Sequence, residues 1–192
     1  MDARPRRRRK DTRQRIQDVA LELFLERGYD QTSLREIAER LDVTKAALYY
    51  HFKTKEEIVG ALVGGVRASV DEILAWGAGR PRTLETRVEL LRRLHAVLDE
   101  GRRIFRFLQE NQAALRKRES GDWFRDQLAT LGGLISAPEA SMVDRARVMS
   151  AIFTISFGTF AMAETEGDPG EKRAALLQVA GDLLAAIEPE AE

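Results

Sequence analysis

The spacing of the apolar residues constrains the fold of this chain more than any other feature. From about residue 12 to residue 187 these residues recur at intervals of three and four, which places them on one face of successive α-helices. No stretch alternates apolar and polar residues with the two-residue period of a β-strand, and the Asn-Gly and Asp-Gly pairs that close many hairpins are missing. The pattern therefore predicts an all-α protein with about nine helices.

Short turns with capping signals separate the predicted helices. Gly28 is placed to end the first helix in a left-handed conformation. Ser33 with Glu36 has capping-box spacing for the second helix, with Thr32 as the alternative N-cap, and Thr44 starts the third. The helices are predicted over about residues 12–27, 33–41, 44–51, 55–76, 83–99, 102–118, 120–134, 139–164 and 171–187.

Charge is distributed unevenly along the chain. The whole sequence has 31 basic and 31 acidic residues, but residues 1–55 hold 14 and 9, which leaves a net charge of 14 − 9 = +5 in that part and −5 in the remainder. A basic first third indicates that this end meets a polyanion. The run from Arg6 to Lys10 is equally compatible with a disordered, solubilising tail.

Composition excludes several classes of protein. The sequence contains no cysteine and only two histidines, so it predicts no disulfide framework, no metal site and no cofactor. No nucleophile–base pair or phosphate-binding loop supports an enzyme. No segment approaches the roughly 20 uninterrupted apolar residues of a membrane helix, and the basic N-terminus lacks the apolar region of a secretory signal. A cytoplasmic protein is expected.

The segment TKAALYYHFKTK, residues 44–55, carries the strongest functional signal. Two short helices joined by a tight turn form the layout of a helix-turn-helix, in which the second helix enters the major groove of DNA. Leu48 and Phe52 are four residues apart and are expected to pack back onto the domain. The start of the helix would read base edges through Thr44, Lys45 and Ala46. The polar side chains that follow would hold phosphates: Tyr49, Tyr50, His51, Lys53 and Lys55.

The run ALELFLERGYDQTSLREIAERLDVTKAALYYHFKTKEEIVGAL resembles the DNA-binding domain of the TetR (tetracycline-repressor-like) family. Its ERGYDQTS junction, IAERLDV turn and LYYHFKTKEE block occur together at the spacings of that family, over roughly a quarter of the chain. Two positions depart from the family pattern. Asp42 stands where many members have glycine, and Ala46 where a small residue, often glycine, is common. Aspartate can enter the left-handed conformation that such a turn needs, at modest cost.

The resemblance implies three parts for the chain. A basic flexible arm covers residues 1–10, a helix-turn-helix domain covers residues 11–54, and a helical effector-binding and dimerisation domain covers residues 55–192. It also implies DNA contacts from Thr32 or Ser33 and from Arg35, near the start of the second helix, and a phosphate contact from Lys55.

The resemblance further implies a homodimer in which the last two helices pair with their counterparts as a four-helix bundle. Apolar residues surround the helix over about residues 149–163, which supports the same expectation. The most buried helix of a monomer would show the same pattern. The candidate interface residues are Phe157, Gly158, Ala161, Leu176, Val179, Ala180, Leu183 and Leu184.

The middle helices would enclose an effector pocket, according to the same resemblance. A neutral or largely apolar small molecule is expected there, because few cations occur among the candidates. Each candidate can also be explained by ordinary core packing. The candidates are His95, Phe105, Phe107, Asn111, Trp123, Phe124 and Phe153.

Two functions remain open at this point. The first is a repressor whose homodimer binds a pseudo-palindromic DNA operator and is released by a small-molecule effector. The alternative is an architectural or protein-interaction factor, or an activator, with the same fold and no effector. A core without a cavity would favour the alternative.

Overall fold

The computed structural model describes residues 4–111 and 120–187, with the side chains of residues 4–10, 109 and 120–125 outside the description. These ranges form nine α-helices and no strand, so the all-α prediction is confirmed. A short 3₁₀ turn, Met162–Glu164, follows the eighth helix. The helices are α1 (Arg4–Arg27), α2 (Leu34–Arg40), α3 (Lys45–His51), α4 (Lys55–Gly77), α5 (Leu84–Glu100), α6 (Arg102–Glu110), α7 (Ser120–Ile135), α8 (Met142–Ala161) and α9 (Pro169–Ala185).

Helix α1 begins about two turns earlier than the apolar pattern predicts. It starts at Arg4 and not near residue 12, so residues 4–10, which were expected to be a flexible arm, continue the helix. Pro5 lies in its first turn, where the missing N–H of proline is tolerated, and arginine and lysine are good helix formers. Apolar periodicity cannot mark this start because residues 4–10 contain no large apolar side chain.

The first compact unit contains α1–α3, α4 as far as Arg67, and α6 from Arg103 onward. It is therefore wider than the helix-turn-helix domain predicted over residues 11–54. Its core combines the apolar stripe of α1 with side chains from each of the other helices of the unit. The largest fully buried members are Ile16, Leu23, Phe24, Ile37, Leu48, Phe52, Ile58 and Phe107.

Phe107 belongs to this core, which corrects its predicted place in an effector pocket. Its ring is fully buried and stacks on that of Phe24, with the centroids 5.3 Å apart, and lies 5.9 Å from the ring of Tyr29. Core packing is the other explanation given above for Phe107, but the sequence cannot tell which part of the chain buries it. Helix α6 is thus an integral part of the unit that contains the helix-turn-helix.

The second unit contains α4 from Ala68 onward, α5, and α7–α9. Helix α8 packs against α5, α7 and α9. The side of α8 that faces its neighbours is buried, with Val148, Ala151, Ile152 and Ile155 at its centre. Leucines of α5 and small or apolar residues of α9 complete the core of this unit.

One described segment, Met142–Glu164, is long and apolar enough to cross a membrane by length and composition alone. The central helix of a water-soluble protein passes the same test. Here one side of the helix packs against α5 and α9, and its first turn carries the ion pair between Asp144 and Arg147, with Oδ1 and Nη1 2.8 Å apart. This arrangement is typical of a core helix.

Four of the residues predicted at a dimer interface are used inside the chain instead. Leu176, Ala180 and Leu184 are buried, and Leu176 covers Gly158 so closely that a Cβ there would lie 2.4 Å from Leu176 Cδ2. These residues join α8 to α9 within one chain. A helix that is apolar on both sides gives no sequence signal for which side its own chain covers, and this ambiguity explains the error.

The other predicted interface residues lie toward solvent. Phe157 and Val179 are exposed, as is Ala161, and Leu183 is half-buried. Phe153, which was predicted to line an effector pocket, is also exposed and stacks on Phe157 with the ring centroids 5.3 Å apart. Phe153 therefore belongs to an exposed apolar stripe on α8 and not to the interior.

Candidate nucleic-acid interface

A tight turn joins α2 to α3. Asp42 has φ = +54°, so it adopts the left-handed conformation predicted for it. The N–H of Val43 donates to the carbonyl of Ala38 at 3.1 Å, which closes the turn. Thr44 then caps α3, because its Oγ1 accepts a hydrogen bond from the N–H of Ala47 at 3.2 Å. The connection has the layout of a helix-turn-helix.

Helix α3 has one buried face and one free face. Leu48 and Phe52 are completely buried in the core of the first unit, as their spacing predicts. Lys45 and Ala46, at the start of the helix, are exposed. The middle and C-terminal end of α3 are thus held by its own domain, while the N-terminal end stays open to a partner.

The residues predicted to hold phosphates lie together near the end of α3. Tyr49 is partly buried against the core, and the Lys45 Nζ lies 5.6 Å from the centre of its ring. Tyr50 is 62% exposed and meets the ring of His51 edge-on at 5.4 Å. The side chain of Lys53 is exposed, while its backbone N–H donates to Glu57 Oε2 at 2.7 Å.

Arg13 of α1 completes this end of α3, although no sequence pattern singles it out. Its Nη1 donates to the carbonyl of His51 at 3.1 Å, and its guanidinium lies 4.2 Å from the centre of the Phe52 ring. A cation at a helix C-terminus satisfies a free carbonyl and interacts favourably with the helix dipole. Arg13 therefore helps to hold the C-terminal end of α3 in place. Only its distance of three residues from the buried Ile16 hints at this position.

Thr32 and Ser33 have different roles, which the sequence leaves undecided. Thr32 is only 2% exposed, and its hydroxyl donates to the carbonyl of Gly28 at 2.9 Å, so it is not available to DNA. Ser33 is the N-cap of α2 and forms the predicted capping box with Glu36. The hydrogen bonds with Ser33 hold the pKa of Glu36 below its ordinary value. Arg35 is exposed beside them, with its Nε 2.7 Å from Glu39 Oε1.

Lys55, for which a phosphate contact is predicted, also makes structural contacts within the first unit. Its Nζ donates to the carbonyl of Tyr29 at 2.6 Å and lies 4.5 Å from the centre of the Tyr29 ring. The hydroxyl of Tyr29 in turn donates to Glu56 Oε1 at 2.9 Å. These contacts attach the start of α4 to the junction between α1 and α2.

Residues 16–62 match the family model of bacterial regulatory proteins, tetR family. This segment of the chain is therefore similar to a domain of the TetR family. A segment of 48 residues is 52% identical to the HTH-type transcriptional regulator AcrR of Shigella flexneri and covers 25% of this chain and 22% of that protein. A segment of 68 residues is 40% identical to the HTH-type transcriptional repressor BepR of Brucella suis biovar 1 and covers 35% of this chain and 32% of that protein.

The matched segments span about a third or less of these curated relatives. Over most of its length the chain is similar in fold to the crystal structure of a transcriptional regulator from Aquifex aeolicus. The TM-score is 0.64 and the identity 19%, and the match covers 87% of this chain and 96% of that one. The chain therefore shares its fold with a solved structure.

The segment that matches the TetR family model contains two kinds of lysine, and their effects on stability should differ. We expect Lys55→Met to lower the free energy of unfolding by about 1.5–3 kcal/mol, because a hydrogen bond from a charged group to the Tyr29 carbonyl is lost. Lys45→Met is the matched control, and as an exposed substitution it should change that energy by less than about 0.5 kcal/mol. Urea denaturation measures both. Equal stability of the two variants would contradict the structural role of Lys55.

The predicted effector-pocket residues do not form one group. Phe105 and Asn111 belong to the first unit, where the Asn111 Nδ2 donates to the carbonyl of Phe107 at 2.9 Å and so caps the end of α6. His95 belongs to the second unit and is buried at the edge of a pocket. The predicted contributions of Trp123 and Phe124 concern side chains that lie outside the description.

Proposed function

We propose that this chain is a transcriptional repressor that acts in the bacterial cytoplasm. Its homodimer would bind a pseudo-palindromic operator, and a small-molecule effector would release it. The observation that carries the proposal is the exposed N-terminal end of α3, held by buried Leu48 and Phe52 within a domain that matches the TetR family. One matched relative, BepR of Brucella suis, is a transcriptional repressor, which supports the direction of regulation.

Contacts with DNA follow from the exposed chemistry of α3. Lys45 can donate to guanine O6 or N7, and the Ala46 methyl can contact the methyl of thymine. Tyr50, His51 and Lys53 offer donors to the phosphates beside the groove. The net charge of +5 in residues 1–55 adds a sequence-independent attraction to the same polyanion.

A second copy of the chain would cover the exposed apolar stripe of α8 and α9. Two stacked phenylalanines, Phe153 and Phe157, are 44% and 60% exposed, and Val179 of α9 is 52% exposed. Met142 and Met149 extend the stripe along α8, because all four α8 residues lie within one face at spacings of seven, four and four. A patch of this kind marks an interaction surface. A two-fold partner would also present a second α3 to the next turn of DNA.

Effector release requires a difference in affinity. A ligand can shift the chain away from the DNA-binding form only if it binds the other form more tightly. Two elements provide covalent continuity between the units: α4 runs from Lys55 to Gly77, and α6 follows α5 directly at Arg102. A change in the second unit would thereby alter the position of the helix-turn-helix.

Selection of DNA by the purified protein tests the proposed function. Random duplexes are bound, recovered and sequenced over several rounds. We expect an inverted repeat whose half-sites are spaced by about one helical turn or a multiple of it. Enrichment of no sequence, or of a single half-site by a dimer, would contradict a repressor of this type.

The basic N-terminus should contribute to affinity through charge alone. We expect deletion of residues 1–10, which removes Arg4, Arg6–Arg9 and Lys10, to weaken operator binding and to flatten its dependence on salt. The slope of log K against log salt is negative, and each lost phosphate contact should make it less steep by about 0.9. Replacing Arg6–Arg9 by glutamine is the matched control, since it keeps the chain length. An unchanged slope would show that these residues are an inert tail.

A further inference from the structure

A polar pocket of about 380 Å³ lies at one end of the second unit. The C-terminal end of α5, the end of α8 and the start of α9 meet there. Leu176 and Met162 give it an apolar side, and its volume suits a small molecule. Its ionisable lining residues are His95, Asp99, Arg102, Lys172 and Arg173.

Cations outnumber anions in this lining. Three basic side chains face one carboxylate, so the lining has an excess of 3 − 1 = 2 positive charges with neutral His95. Asp99 is already engaged, because its Oδ1 lies 2.9 Å from Arg102 Nη2. Lys172 donates to the carbonyl of Thr165. The Arg173 guanidinium makes no hydrogen bond or ion pair with another described residue and remains available to a ligand.

His95 points to the same conclusion by an independent route. The side chain is only 5% exposed, yet its imidazole forms no hydrogen bond with any residue in the described part of the chain. Because His95 lines the pocket, its imidazole nitrogens can offer a donor and an acceptor to a ligand there. Burial lowers the pKa of His95; the guanidinium groups of Arg173 and Arg102 act in the same direction, and the Asp99 carboxylate opposes them.

We propose that this pocket binds a small organic acid. Its carboxylate would lie between Arg173 and Arg102 and accept a hydrogen bond from the His95 imidazole, with its apolar body against Leu176 and Met162. A carboxylate with an apolar body fits better than inorganic phosphate, because the lining combines a modest excess of positive charge with apolar side chains. An organic acid differs from the neutral or largely apolar effector that is expected from the sequence alone. The effector role of this acid rests on the proposed function, whereas its binding to the pocket does not.

The two histidines of the chain make the binding step directly observable. NMR of the full-length protein labelled in the histidine rings follows His95, with His51 of the first unit as internal reference. The probes are sodium hexanoate and sodium benzoate at about 10 mM, which populates sites with millimolar affinity. Their amides test the need for charge, and inorganic phosphate tests the alternative anion. All solutions are matched in ionic strength.

We expect at least one acid to shift the His95 signals and raise its pKa, since a bound anion stabilises the imidazolium. Affinity should then rise as the pH falls through that pKa. His51 should stay unchanged, and the amides should have no effect. Arg173→Gln should weaken acid binding at least about tenfold, as expected for a lost charge-assisted contact. Arg103→Gln is the matched control, because Arg103 is exposed and does not line the pocket.

Equal shifts from acids and amides would overturn the charge requirement, and so would wild-type affinity in Arg173→Gln. No shift from either acid, or a shift from phosphate alone, would overturn the organic-acid site. The effector role is tested separately on DNA selected by the protein. Acid binding at His95 without release of that DNA would overturn the effector role and retain the site. Failure to select DNA would contradict the proposed function, while the NMR titration would still decide the site.

Discussion

Replacing Phe107 by alanine should lower the free energy of unfolding of the first unit by about 3–5 kcal/mol. The ring is fully buried, stacks on Phe24 and approaches Tyr29, so its removal leaves a cavity between α6 and the core of the helix-turn-helix. The loss should appear in urea denaturation followed by circular dichroism. DNA binding should weaken with it at temperatures where the variant begins to unfold.

Phe105→Ala is the matched control for that prediction, because Phe105 is only partly buried on the same helix. Phe105→Ala should lower the free energy of unfolding by less than half as much as Phe107→Ala. A loss of under about 1 kcal/mol for Phe107→Ala would contradict the placement of α6 in the first unit, since such a value is typical of a surface position.

Phe157→Glu should raise the dissociation constant of the dimer at least about 100-fold, which corresponds to about 2.7 kcal/mol. The side chain is 60% exposed beside Phe153, so the substitution leaves the interior of the chain intact and places a charge in the apolar stripe. Light scattering after size-exclusion chromatography measures the assembly at several protein concentrations. Affinity for a two-site operator should fall as well, because a monomer brings only one α3 to the DNA.

Gln178→Glu serves as the control for the dimer prediction. Gln178 is exposed on α9 and is turned by 100° from Val179 around the helix. It should leave the dimer unchanged. Phe157→Glu is compared with wild type at the protein concentrations at which wild type forms a dimer. If the variant is also a dimer there, the stripe of α8 is not the interface between copies.

The sequence predicts the helices and the buried face of α3 well, for a local reason. Helix period, capping boxes and the left-handed turn at Asp42 are all determined by residues within a few positions of one another. Leu48 and Phe52 could be predicted as buried anchors for the same reason, because their four-residue spacing is a local feature of the sequence. These features could therefore be read without knowing any partner element.

Partners that are distant in sequence could not be predicted in the same way. Thr32 and Ser33 are both good N-caps, and only the position of the Gly28 carbonyl shows that Thr32 is turned inward. Lys55 is a cation at a helix start, and only the Tyr29 carbonyl shows that it is already bound. Phe107 is a large apolar residue on a predicted helix, but nothing in its neighbourhood in the sequence indicates that Phe24 stacks on it.

The exposed end of α3 is proposed to read DNA. Fluorescence anisotropy titrations of a duplex selected by the protein, with Lys45→Ala and wild type side by side, test it most directly. We predict a loss of affinity of at least about tenfold for Lys45→Ala, consistent with a base contact worth about 1–3 kcal/mol. Arg92→Ala, an exposed cation of α5, should bind like wild type. Equal affinity of Lys45→Ala and wild type for the selected duplex would show that this end of α3 does not read the bases.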